Sequence, residues 1–393
     1  MNRKDLSYQL ASKFSEYEVG TIIKYIEPTT EIITLEDFVA LYKKEKDITC
    51  VPVESGNGVV GLVDINIIVE KSKSLWENIK GSTIEKYVNK NVLIVEAQEH
   101  VDKVVETIFS MKEISFDFNF LIFYHGVYIG VGNFNKLLQH ITQLRNLELN
   151  RAKEIQEYFM NMHTIKNVNF EVEVFTHMAH MLGGDFYKLI KINEHLSMAA
   201  CFDVSGKNIS ASLLTSSLNT FFVTLNLTKD LETLKPVDLV TLLNEVINQS
   251  THLDIFITSI FIFIDMEEKK ISIFNHGYSY VYVFKKEDGK MVCKKIKPFL
   301  PPLGIIKSSD LKTKEYTLPV SKGLKLITYS DGFIDAKNPD GKQYGEERVQ
   351  KFLVQNYNKN SKDLVKAIEN EYLDFIKTAP KVDDVTALVI DFA

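Results

Sequence analysis

The chain has 393 residues, 45% of them apolar and 25% charged, with a net charge of −6. That length implies more than one domain, the composition is that of a soluble globular protein, and the acidic balance sets aside general nucleic-acid binding. Cys50, Cys201 and Cys293 are too few and too scattered for a disulfide framework or a zinc site, which suits a reducing cytoplasm. The first residues, MNRKDLSYQLASKFSEYEVG, lack a signal-peptide core, and residues 1–15 read as an N-terminal tail. The most apolar run, DIFITSIFIFID (254–265), is about half of what a membrane span requires, so a buried strand and no membrane contact are expected.

Residues 16–135 contain an internal repeat. DITCVPVESGNGVVGLVDINIIVEK (47–71) and NFLIFYHGVYIGVGNFNKLLQHI (119–141) each read strand, turn, strand, helix. Asn57-Gly58 and His125-Gly126 are residue pairs that can supply positive φ in a hairpin. A helical pattern precedes each, LEDFVALYKKEK (35–46) and HVDKVVETIFSMKE (100–113). The repeat predicts two half-domains packed on one another. The stretch 134–162 has neither Pro nor Gly. It places Leu137, Ile141, Leu144, Ala152, Ile155 and Phe159 on a helical stripe, which Glu148 keeps from being a strict heptad. It predicts a connecting helix, packed on a neighbour or also serving as a homodimer surface.

From 166 to 393, strands are expected near 184–190, 196–203, 255–265, 270–276, 278–285, 324–330 and 384–391. Helices are expected near 209–226, 236–250, 345–355 and 361–377. Helices in blocks and strands in consecutive hairpins predict an α+β fold with antiparallel sheets and helices outside.

Carboxylates recur at strand ends in this region. HLSMAACF stops at Asp203, LKLITY runs into Ser330-Asp331-Gly332, Gly183-Gly184 lead into Asp185, and Asp383-Asp384 precede the last strand. Any one of them could be an ordinary turn or cap residue. Several converging together would make an oxygen-rich site for Mg²⁺ or Mn²⁺, with chemistry at phosphorus.

GGDFYKLI, FDVSGKNISASLL, FNHGYSYVYVF, PPLGI, TYSDGFIDAKNPDGKQYGEERV and VDDVTALVI occur in that order over some 200 residues. Together they resemble the SpoIIE-like branch of the PPM family of metal-dependent serine/threonine protein phosphatases. The resemblance implies a PPM-type antiparallel β-sandwich flanked by helices, with two Mn²⁺ or Mg²⁺ ions at one end. Matched by position, Asp203 would bridge both ions and the Val204 carbonyl would help hold one. Asp331 and Asp383 would complete one shell, and Asp185 would serve the other ion. Asp384 would stand behind these ligands, and Lys207 would either contact substrate phosphate or be a solvated turn residue. Water activated at the centre would attack phosphoserine or phosphothreonine. Asn208 stands where Gly is common, and three further places depart from the family pattern. Lys188 stands where many members have Asp, Asn275-His276-Gly277 alters an Asn-Ala-Gly-His order, and Asp203-Val204-Ser205 lacks the His that serves other PPM branches as general acid.

VPVESGNGVVGLVD and FLIFYHGVYIGVGNF resemble the paired strands of a tandem CBS module, an α/β regulatory domain. The ribose-holding Asp positions of nucleotide-binding CBS units fall on Ile67 and Lys136, with Asp64 and Asn133 preceding them. Either another small ligand or protein contacts alone would then act on the module. The expected organisation is a tail (1–15), a tandem CBS-like regulatory module (16–135), a helical linker (136–165) and a phosphatase domain (166–393). The resemblance implies a phosphoprotein substrate, for which STAS-type anti-sigma-factor antagonists are the pattern. The rival reading is a catalytically weak pseudophosphatase or phosphoprotein-binding scaffold, against which the full set of acidic positions argues.

Overall fold

The computed structural model describes residues 3–42, 48–56, 58–74, 81–111, 117–206, 209–250, 255–287 and 290–393. The chain divides into two compact units, 1–148 and 149–393.

The first unit opens on helix α1 (Arg3–Ala11). The expected tail is therefore partly helical, and Leu10 is buried in a core with Val19, Val104 and Phe120. Its short apolar pattern is too sparse to read as a helical stripe from sequence. Two similar halves follow. The first contains β1 (Thr29–Thr30), α2 (Leu35–Tyr42), β2 (Cys50–Ser55), β3 (Gly58–Asp64) and α3 (Ile65–Ser74). The second contains β4 (Ile94–Glu96), α4 (Val101–Phe109), β5 (Asn119–Tyr124), β6 (Val127–Asn133) and the start of α5 (Phe134–Phe159). In each half the short first strand runs parallel to the next, which pairs antiparallel with the third. A register irregularity recurs at the matching place, between Val53 and Glu54 and between Ile122 and Phe123.

His125 and Gly126 take φ of 49° and 77°, the positive values their hairpin turn requires. In the first hairpin the positive φ falls on Gly56, at 59°, and Asn57 lies outside the described residues. The halves share a core of Ile26, Cys50, Leu62, Leu121, Tyr128 and Val131. Each half's lead-in segment crosses the other half's hairpin, with Lys24 bridging Val131 and Asn89 bridging Leu62. Glycine permits both crossings. A Cβ on Gly61 would stand 2.3 Å from the Asn89 carbonyl oxygen, and one on Gly130 would stand 2.4 Å from the Ile23 side chain.

The second unit is built on two antiparallel sheets. In chain order it contains β7 (Thr164–Lys166), β8 (Phe170–His177), β9 (Asp185–Lys191), β10 (Leu196–Val204), α6 (Ile209–Leu227), α7 (Asp230–Thr233), α8 (Pro236–Ser250), β11 (Ile257–Asp265), β12 (Lys270–His276), β13 (Val281–Glu287), β14 (Lys290–Ile296), β15 (Tyr316–Pro319), β16 (Lys325–Tyr329), α9 (Asp331–Asp335), α10 (Glu346–Asn356), α11 (Ser361–Ile376) and β17 (Val385–Phe392). One sheet has the order β15-β12-β11-β10-β9 and the other β14-β13-β16-β17-β8-β7.

Side-chain alternation sorts the layers. On β17, Leu388, Ile390 and Phe392 join the core that also holds β9 to β12 and the apolar faces of α6 and α8. Val385, Ala387 and Val389 face the opposite way, into a core with α10 and α11. The result is two sheets packed face to face with helices on both outer sides, as expected from the blocks of helices. Four strands were not anticipated. β7 and β15 are short, and β14 is a lysine-rich edge. β8, FEVEVFTH, carries a strand-like alternation of buried and partly exposed residues.

Candidate active site

Pairing of the strands assembles the acids. Asp203 on β10 lies directly across from Asp185 on β9, so the two share one face of the sheet. Gly184 lets these strands close in, since a Cβ there would stand 3.0 Å from the Val204 carbonyl oxygen. In the other sheet β16 pairs with β17, which sets the segment after Tyr329 beside the segment before Val385. Ser330 N–H donates to the Thr386 carbonyl (2.8 Å), and Thr386 N–H donates to Ser330 Oγ (2.9 Å). Asp331 begins α9, and Gly332 passes so close that a Cβ would be 2.0 Å from the Asp384 carbonyl oxygen.

Hydrogen bonds then tie the sheets together at this end. Thr386 Oγ1 on β17 donates to Asp185 Oδ2 on β9 at 2.7 Å. Asp384 Oδ1 accepts from Ala179 N–H (2.7 Å), and its Oδ2 accepts from Gly184 N–H (2.6 Å). Asp384 N–H donates to Asp383 Oδ1 (3.0 Å). Asp384 is thus engaged with the 179–184 loop.

The electrostatics record a charge deficit. Burial, then Asp331, Asp383 and Asp384, push the Asp203 carboxyl up to about 7. Burial, then Asp203 and Asp384, hold Asp185 well above the ordinary carboxylate range. Buried carboxylates that repel one another are relieved by a cation. Among the described residues no group of three or more His, Cys, Asp or Glu side chains is placed to hold a metal ion as it stands. The fit to Mg²⁺ or Mn²⁺ rests on the chemistry of the donors, since carboxylate oxygen is what these ions prefer. Lys207 lies outside the described residues.

Two residues here were not singled out from sequence. Tyr278 has a buried hydroxyl without a hydrogen-bond partner, and burial, Cys201, Asp185, Asp203 and Asp331 all push its pKa up. Asn275 shapes its turn, accepting from Tyr278 N–H (3.0 Å) and donating to the Ser279 carbonyl (2.7 Å). Gln156, near the end of α5, is 2% exposed. Its amide accepts from Gly183 N–H (3.0 Å) and donates to the Gly183 carbonyl (2.8 Å) and Thr215 Oγ1 (3.0 Å). The apolar stripe expected on this helix holds for Leu137, Ile141 and Leu144, but Ile155 is exposed while polar Gln156 is buried. Periodicity alone had no means of finding a glutamine whose partners come from a distant loop.

Gly332→Ala tests the closeness of this assembly. A backbone oxygen at 2.0 Å cannot yield to a methyl group without displacing Asp331 or the 383–384 segment. The expected loss is about 2 kcal/mol or more, in the range of overpacked cores. Thermal melts and Mn²⁺ titration will show it as a lowered midpoint together with weaker metal binding.

The fold of this sandwich is of the PP2C type. Its fold is that of the SiaA-PP2C domain of Pseudomonas aeruginosa, with a TM-score of 0.53 at 15% identity, covering 64% of this chain and 99% of that one. Residues 194–393 match the family described as Stage II sporulation protein E (SpoIIE), and the chain belongs to that family. Phosphoserine phosphatase RsbU of Bacillus subtilis (strain 168) is 23% identical over 276 residues, 70% of this chain and 79% of the relative. Phosphoserine phosphatase RsbP of the same organism is 25% identical over 189 residues, 48% of this chain and 45% of the relative.

Proposed function

We propose that this protein is a regulated, metal-dependent protein serine/threonine phosphatase. Two Mn²⁺ or Mg²⁺ ions would be held by Asp185, Asp203, the Val204 carbonyl, Asp331 and Asp383. The observation that carries the reading is the meeting of these acids at one end of the sandwich, with Asp203 raised to about 7 by burial and by its neighbours. Bound ions would neutralise that charge and supply an activated water for phosphoryl transfer. Asp203, central in the array, is the proposed bridge, with Asp331 and Asp383 on one ion and Asp185 on the other. The Thr386 hydroxyl donates to Asp185 Oδ2 and so orients the carboxylate that would meet a cation. Asp384 supports the centre by anchoring the loop that leads into Asp185. Lys207 is a proposed contact for the substrate phosphate.

The substrate we propose is a phosphoserine- or phosphothreonine-bearing signalling protein, in keeping with two relatives named as phosphoserine phosphatases, and its STAS type is proposed on the motif resemblance alone. The first unit is proposed as a CBS-like regulatory module. Its repeated halves and exchanged lead-in segments support that reading. Helix α5 begins in the first unit and ends in the second, which suits a connector, and a homodimer through it is proposed on the helical stripe alone. Among the described residues no helix is long and apolar enough to cross a membrane.

Hydrolysis of a small aryl phosphate and of a phosphoserine peptide, with Mn²⁺ and with EDTA, tests the activity. Manganese-dependent turnover is expected. Tight Mn²⁺ binding with no turnover on any phosphoprotein would select the pseudophosphatase reading instead.

A further inference from the structure

Apart from the acidic centre, the second unit holds a cleft of about 500 Å³ with the opposite chemistry. It lies among the end of α5, the start of β7, the end of β8 and the segment before Asp383. Its charged and titratable lining is Lys153, Lys381, His163, His177, His180 and a single acid, Glu157. Glu157 is already engaged by Lys153 at 3.6 Å. Lys381 has no ion pair among the described residues, and His177 Nε2 is buried with no hydrogen-bond partner. His163 Nδ1 meets the Tyr187 hydroxyl at 2.5 Å, which holds that ring in place at the cleft wall. The His177 nitrogen is closed to solvent, so what the cleft offers an occupant is the Lys381 ammonium and the exposed His163 and His180 imidazoles.

The chemistry of the lining selects the occupant. Lysine ammonium groups and imidazoles are point donors that converge from several directions. Such a set can serve several oxygens of a tetrahedral anion at once, as lysine does as a point charge at phosphate sites. The cleft's volume exceeds that of one phosphate group and falls in the range of small-molecule sites.

We propose that this cleft binds a phosphate-bearing small molecule; none of the carboxylates proposed to hold metal lines it, though it adjoins their segments, with Lys381 two positions before Asp383 and Thr176 meeting the Thr386 hydroxyl at 3.2 Å. The phosphate could come from orthophosphate, the product of the proposed reaction, or from a phosphorylated metabolite. Binding here does not require the catalytic reading to hold. A chain without turnover could still bind, and an active phosphatase could fail to.

The test is calorimetric titration of the full chain with orthophosphate and, separately, with glycerol 3-phosphate. EDTA is present so that no divalent ion offers another phosphate site. A single saturable event is expected. Lys381→Ala and Lys153→Ala should each weaken it by about tenfold or more, as loss of a charge-assisted hydrogen bond does. Lys381→Arg, which keeps the charge, should retain most of the affinity. Matching thermal midpoints will show that the variants are folded. Tighter binding of orthophosphate identifies product feedback, and tighter binding of the ester identifies a metabolite site. No saturable heat with either probe up to about 10 mM, in the weak range of affinities, would overturn the proposal. So would an affinity left unchanged by Lys381→Ala in a folded variant.

Discussion

Asp203→Asn will abolish manganese-dependent hydrolysis and, in the same protein, raise the thermal midpoint of the EDTA-treated chain. Loss of the proposed bridging carboxylate removes several kcal/mol of charge stabilisation, or about 10³-fold in rate or more. The stability gain has the opposite sign because the carboxyl is held at about 7, far above its ordinary value. A raised carboxyl favours the fold while protonated, so its contribution is fully present below about pH 4 and is lost as pH rises through about 7. The metal-free protein should therefore weaken across that window, and Asp185, raised by the same causes, adds to the fall. The variant escapes the share due to Asp203. Each pKa unit is worth about 1.4 kcal/mol at most, or roughly 3 °C in midpoint for a unit of this size. Metal binding must displace the proton, so the Mn²⁺ concentration for half occupancy should fall as pH rises towards 8. Melts in EDTA from pH 5 to 8 decide the matter. Parallel profiles for wild type and variant would mean that Asp203 bears no such strain.

Gln156→Leu should cut Mn²⁺ affinity by about 10- to 100-fold, the usual effect of removing a group that orients metal ligands. No metal ligand is touched by the change. The leucine leaves the buried Gly183 N–H and carbonyl without their side-chain partner, which costs about 1–3 kcal/mol for each group left unmade. Gly183 adjoins Gly184, whose N–H is held by Asp384, and Asp185 follows. Loosening Gly183 therefore loosens the entry to β9, where Asp185 pairs across from Asp203. Calorimetric Mn²⁺ titration separates this from general instability. Gln156→Glu can still accept from Gly183 N–H and should recover part of the affinity. If Gln156→Leu melts earlier but binds Mn²⁺ as tightly as wild type, the glutamine serves the fold alone.

Much of the architecture was legible because its signals are local. Hairpin turns announce themselves by residue pairs, as His125-Gly126 does with both φ values positive. Long helices such as α6 and α8 carry their period in their own residues. The elements that escaped, among them lysine-rich β14 and short α1, take their place from neighbours more than from their own pattern. β8 is a different case, since its alternation was there to be read. The helix stripe failed at Ile155 and Gln156 for a related reason: an amphipathic pattern names a face, and only the fold says what lies against it.

The candidate site divides along the same line. By itself the amino-acid order determined which residues could serve, because a carboxylate beside Gly or Ser at the end of an apolar run is a property of adjacent positions. It also determined the family, since the motifs keep their order along the chain. Only the tertiary structure decided that Asp185 faces Asp203, that Thr386 reaches across from the other sheet to hold Asp185, and that Asp384 spends both oxygens on backbone N–H groups. These are contacts between residues up to 205 positions apart. Strand register and sheet stacking set them, and neither is encoded within any single stretch.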